Sequence, residues 1–83
     1  MEAKYIIAEL PTGVGTCLGA VIFPAYMDHR ATVIGLNLDV ANIHSAGLCV
    51  KDADGKFVAY GQSRSLKIDS KEGDSALLNR LGS

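Results

Sequence analysis

What this sequence lacks excludes more than what it contains. Of 83 residues only Cys17 and Cys49 are cysteine. Small secreted domains held by disulfides need a denser, even-numbered framework. Two free thiols acting as small buried hydrophobes are therefore expected, with a single Cys17–Cys49 disulfide as the alternative. No excess charge of either sign is present, since the formal net charge is −1. Residues 1–50 carry Lys4 and Arg30 against Glu2, Glu9, Asp28 and Asp39, and the cations of residues 51–83 are interspersed with acids. Binding of bulk nucleic acid draws most of its affinity from several Lys or Arg on one face, so none is expected. No run reaches the roughly 18–20 apolar residues of a membrane span. The start, Met1-Glu2-Ala3-Lys4, lacks the basic and apolar regions of a signal peptide, so a cytoplasmic protein without membrane contact is expected.

The composition is that of a folded domain. Apolar residues make up 48% and charged residues 20%, against the low hydrophobicity of disordered chains. A chain of this length buries only about 60% of its unfolded surface, so one domain (1–83) with a thin core is expected.

Residues 4–10 read as a first strand ended by Pro11, residues 11–16 as a turn, and residues 17–23 as a second strand stopped by Pro24. Both strands are apolar on both faces. That pattern fits strands covered on each side, or strands in an oligomer, and predicts a homodimer burying a sheet edge or face. Residues 25–33 read as a short helix with Asp28 and His29 on its surface, and 36–43 as a half-buried strand or extended loop, with His44 in a turn. Residues 45–51 and 56–60 flank Asp52-Ala53-Asp54-Gly55, the chemistry of a type I turn closed by a left-handed Gly. The resulting register pairs Val50 with Val58 and Leu48 with Tyr60, on the expected core face. Residues 65–69 alternate with Leu66 and Ile68 inward. Residues 74–82 read as a helix capped by Asp74, striped by Leu77, Leu78 and Leu81, and left through Gly82. The expected fold is α+β: an antiparallel sheet of about four strands, with a short middle helix and a short C-terminal helix packed on one face. An all-β barrel is the runner-up.

No motif carries chemistry. Gly13-Val14-Gly15 has Leu18 where a dinucleotide loop needs its third Gly. A calcium loop opening at Asp52 needs Gly at position 57 and Glu at position 63, which hold Phe57 and Ser63. Asp28, His29 and His44 lack zinc-site spacing, and no Cys or Ser sits in a recognisable triad context. No catalytic residue, metal or cofactor is expected. The unusual stretch is Tyr60-Gly61-Gln62-Ser63-Arg64-Ser65. In an unbroken strand Gln62 and Arg64 would share the core face with Leu66, and burying them unpaired costs a few kcal/mol. Either a bend at Gly61 turns them outward, or Tyr60, Gln62, Ser63, Arg64 and Ser65 form a polar contact surface with two hot-spot residue types.

Ser45-Ala46-Gly47-Leu48, the Asp-Gly turn, Tyr60-Gly61-x-Ser63-x-Ser65-Leu66 and Asp74-x-x-Leu77 resemble a group of small proteins from tailed phages and prophages. Val21-Ile22-Phe23-Pro24 followed by His29 fits the same pattern. The resemblance spans roughly residues 18–78. The chain departs from it at Lys71-Glu72, where an Arg-Pro pair would stand, and in the Pro11–Thr16 turn. The resemblance brings a phage context and no activity. A non-enzymatic accessory protein follows as the expectation. It would act in the bacterial cytoplasm by binding a protein partner, as an inhibitor of a host or defence factor or as a minor virion component. The alternative is a small nucleic-acid-binding protein using Arg64, Lys67 and Lys71.

Overall fold

The computed structural model describes residues 2–81. The fold is α+β. In chain order it has β1 (Glu2–Thr12), β2 (Gly15–Pro24), α1 (His29–Gly35), a 3₁₀ turn (Val40–Asn42), β3 (Ile43–Lys51), β4 (Phe57–Tyr60), β5 (Gln62–Ser63), β6 (Ile68–Asp69) and α2 (Asp74–Leu81). Four strands form one antiparallel sheet in the order β2-β1-β3-β4, and β5 and β6 form a separate short hairpin. An open sheet of this order is not the barrel considered as the runner-up.

Pro11 does not end the first strand: β1 runs to Thr12, and Pro11 pairs with Thr16. Ladder bonds alternate sides along a strand. The nitrogen of Pro11 points toward β3, whose pairing with β1 stops at Ala8, so no ladder bond is lost. The turn is correspondingly only Gly13-Val14.

The two-sided apolarity of β1 is explained by helices on opposite faces, not on one. Ile6 and Ala8 pack with Phe23, Val33 of α1, Ala46 and Leu66. Tyr5 and Ile7 pack with Cys49 and Leu78 of α2. Alternation along a central strand makes both faces core.

The Asp52–Gly55 turn forms as expected. The Gly55 N–H donates to Asp52 O at 3.0 Å, Gly55 sits at φ 78°, and Val50 pairs with Val58 and Leu48 with Tyr60. The core face is the opposite of the one expected: the better-buried side of this hairpin is Cys49, Phe57 and Ala59 under α2. Val58 and Tyr60 are exposed.

Helix α1 starts later than expected. Pro24 still pairs with Ala3 in β2, and Asp28 is the N-cap, its Oδ2 accepting from the Arg30 and Ala31 N–H groups. His29 is buried, not a surface residue. Residues 36–42 form turns and the 3₁₀ segment instead of a strand. His44 lies within β3 where the register against β1 shifts, not in a turn. Residues 64–67 are a turn with Lys67 at φ 58°, so the strand expected over 65–69 shrinks to Ile68–Asp69 while Leu66 still points inward.

Asp74 is not a cap. It is the first helical residue, it is fully buried, and its Oδ2 accepts from the Tyr5 hydroxyl at 2.5 Å and the Lys71 N–H at 2.9 Å. The helix exit expected at Gly82 lies outside the described residues. Both cysteines are free, with Cys49 buried but Cys17 exposed on β2.

Candidate functional site

Polar residues from four parts of the chain converge where β1 and β3 meet the start of α1. Lys4, Asp28, His29, Leu48, Gln62, Arg64 and Ser65 line a cleft of about 280 Å³. Lys4 and Leu48 are neighbours in the β1–β3 register, and Leu48 pairs in turn with Tyr60 on β4. The sheet thus supplies an apolar floor with one ammonium beside it. The Lys4 Nζ donates to Met27 O at 2.8 Å, its one side-chain bond among the described residues, and an ammonium has three donors.

The other wall is held by side-chain bonds. The Arg30 N–H donates to Ser65 Oγ at 3.2 Å, and the Arg30 guanidinium donates to Ser65 O at 3.4 Å. These contacts pin the 64–67 turn against α1. Partial desolvation acts to raise the Asp28 pKa. Hydrogen bonds from Ser65, Ala31 and Arg30, with the charge of Lys4, outweigh it and hold the carboxyl below its usual range.

His29 forms the inner end of the cleft. Its Nε2 lies 2.9 Å from Gly47 O. A carbonyl only accepts, so Nε2 carries the proton. Its ring meets Phe23 edge to face, with centroids 5.4 Å apart. Burial is the main cause that depresses its pKa, against the opposing pull of the Gly47 carbonyl, so the ring is neutral at physiological pH. Gly47 itself is needed for close approach, because a Cβ there would lie 2.6 Å from Tyr60 O.

Gly61 at φ 74° supplies the bend that turns the following residues away from the β4 line. Gln62 and Arg64 are exposed, and with Ser65 they reach the cleft. Ser63 does not reach it. It is buried, and its Oγ accepts from the Leu66 N–H at 3.2 Å, holding the turn from inside. Tyr60 stands beside the cleft on the open part of the sheet, where its hydroxyl donates to Glu2 Oε2 and its pKa is raised, first by that bond. The sequence reading missed Lys4, Asp28, His29 and Leu48. The Asp28-His29 step carried a usable signal, since Asp before a short amphipathic run is an N-cap pattern.

The arrangement sets two cations, Lys4 and Arg64, and one carboxylate, Asp28, with an amide and a hydroxyl around an apolar floor. That mixed set suits a polar group offering both donors and acceptors on an apolar body. Among the described residues no group of three His, Cys, Asp or Glu side chains comes together in metal-binding geometry. None of the described helices is long and apolar enough to cross a membrane. Against family models, curated proteins and solved structures the chain has no match.

Proposed function

We propose that this chain is a small non-enzymatic accessory protein of a phage or prophage that works in the bacterial cytoplasm by binding another protein. As an inhibitor of a host or defence factor, or as a minor virion component, it would use the cleft and the sheet surface beside it. The observation that carries this reading is the junction of two unlike surfaces. Val58 and Tyr60, 41% and 37% exposed, lie next to a cleft holding Lys4, Gln62 and Arg64. Apolar area next to a desolvatable cation is the pattern of an interface hot spot. The phage context rests on the residues of the resemblance alone.

The test is affinity capture from host lysate with the wild-type chain and with an Arg64→Glu/Tyr60→Ala variant. A protein retained by the first and lost by the second, at unchanged circular dichroism, supports the reading. Equal capture by both removes this surface from it. A second reading is nucleic-acid binding through Arg64, Lys67 and Lys71, to which the fold adds Arg30 at the start of α1, beside the turn that carries Arg64 and Lys67. Sub-micromolar binding of a single- or double-stranded probe at roughly 0.15 M salt would put that reading first.

A further inference from the structure

The two edges of the sheet are finished differently. The outer edge of β4 is closed by α2. The Phe57 N–H donates to Asn79 Oδ1 at 2.7 Å, the Asn79 amide returns a bond to Phe57 O at 3.0 Å, and the Ala59 N–H donates to Ser75 Oγ at 2.9 Å. The outer edge of β2 has no such cover among the described residues.

Which β2 groups face outward follows from the ladder. Asp52 N–H donates to Lys56 O, so Val50 and Leu48 bond to β4 two and four residues on. Cys49 and Gly47 then bond to β1, through Ala3 and Tyr5. The alternate β1 residues Lys4, Ile6, Ala8, Leu10 and Thr12 bond to β2, through Phe23, Val21, Gly19, Cys17 and Gly15. The backbone groups of Thr16, Leu18, Ala20 and Ile22 therefore point away from the sheet. Pro24, next in that series, confirms the parity, because its outward carbonyl accepts from the Met27 N–H.

This open edge carries none of the usual protection. From Gly15 to Pro24 there is no charged residue, no register shift against β1, and a proline only at the very end. Natural edges of such length are normally blunted by charge, bulge or cover. An uncharged strand meets no self-repulsion, and an antiparallel pair of identical strands is self-complementary about a two-fold axis.

We infer that β2 pairs antiparallel with β2 of a second copy of this chain, joining two four-stranded sheets into one. The ends set the register. Pro24 has no N–H to offer and the Gly13-Val14 turn stops the strand at the other end, so Thr16 to Ile22 is the usable length. Full use of it places Gly19 opposite Gly19 on the axis, Leu18 opposite Ala20, and Thr16 opposite Ile22, with about eight inter-chain hydrogen bonds. The same register brings the Val14 end of each strand beside the Pro24 end of the other. Val14 is fully exposed and Tyr26, just past Pro24, is 87% exposed, so two solvated apolar side chains on each copy gain a neighbour. The cleft lies toward the opposite edge, and the dimer presents it twice.

The test is sedimentation equilibrium of the full chain with two variants. Wild type should reach twice the 8.7 kDa chain mass at high micromolar concentration. Ala20→Pro deletes an outward N–H without touching the β1 ladder, and should halve the mass with an unchanged far-ultraviolet spectrum. Val21→Cys tests the register if that variant fails to fold. Cys17 and position 21 of the second copy form a non-hydrogen-bonded pair about 4.5 Å apart, within disulfide reach. Mild oxidation should then give a covalent dimer for Val21→Cys and none for wild type, whose two Cys17 residues lie four positions out of register. A wild-type monomer at high micromolar concentration, or a Val21→Cys chain that stays monomeric on oxidation, overturns the inference.

Discussion

Two tyrosines each donate a hydroxyl to a carboxylate, one on each face of the same sheet. Tyr5 donates to Asp74 beneath α2, where both residues are fully buried. Tyr60 donates to Glu2 on the half of the other face that α1 does not cover. The bonding partners are chemically alike, and depth separates them. Under α2 the bond fixes the start of a helix against the central strand. On the open face it leaves a phenol ring available to a partner. The sheet thus has a face committed to stability and a face divided between stability and contact.

The largest effect should come from emptying the committed face. Leu78 is the fully buried α2 residue that packs on Tyr5, Ile7 and Cys49. Leu78→Ala should cost about 2–5 kcal/mol in urea denaturation. A loss below 1 kcal/mol would show that α2 is a loosely held cover, and the contrast between faces would collapse. Next in size is Tyr5→Phe. It leaves Asp74 Oδ2 with only the Lys71 N–H, while Oδ1 already lacks a partner among the described residues. A buried acceptor deprived of its donor costs about 1–3 kcal/mol, and the same denaturation measurement reads it.

The faces should also fail at opposite ends of the pH scale. Burial, then the bond to Asp74, raises the Tyr5 pKa far above its ordinary value of 10.0. The unfolded chain therefore releases this proton first, and stability falls as pH rises past about 10. On the other face, burial depresses His29 below 6.5. The unfolded chain takes up that proton first, so stability is full above pH 6.5 and declines as pH falls through the folded value. Asp28, held below 3.8, adds to the loss at still lower pH. One proton contributes a slope of at most about 1.4 kcal/mol per pH unit. His29→Gln should flatten the decline that begins below pH 6.5 and leave the alkaline limb unchanged; an unaltered acid limb would separate His29 from it.

How far the sequence carried the fold depended on the range of the forces involved. The Asp52–Gly55 hairpin was legible because its turn chemistry is contained in four residues, and its register follows from the turn. Pro11 misled because its tolerance depends on where β3 stops, which is set some thirty residues later. Asp74 read as a cap because its true partner, Tyr5, is 69 positions away. The two-sided apolarity of β1 was visible, yet it does not say that α1 and α2 take different faces. In the site, Gly61 marked the bend, and so Gln62, Arg64 and Ser65 could be anticipated. Lys4 could not, since only the β1–β3 register brings it to that turn, and the Asp28-His29 step marks a helix start without showing that His29 packs against Gly47 of β3. Ser63 groups with its neighbours in the sequence because nothing local shows which way a residue of a two-residue strand points.

The smallest effect should be that of Tyr60→Phe, and it is the direct counterpart of Tyr5→Phe. The substitution removes one hydroxyl and keeps the ring. At Tyr60 the lost bond belongs to a side chain 37% exposed, and Glu2 is exposed as well. Water can take the place of the phenol at the carboxylate, so no buried group is left unpaired. Exposed substitutions of this kind stay within about 0.5 kcal/mol of wild type. The ring itself still covers Leu48, its register partner on β3, so packing is retained. Side-by-side urea denaturation of the two variants at neutral pH measures the contrast. A Tyr60→Phe loss as large as that of Tyr5→Phe would mean that the open face is braced as firmly as the closed one. In that case Tyr60 would belong to the framework, and its removal from the proposed contact surface would follow.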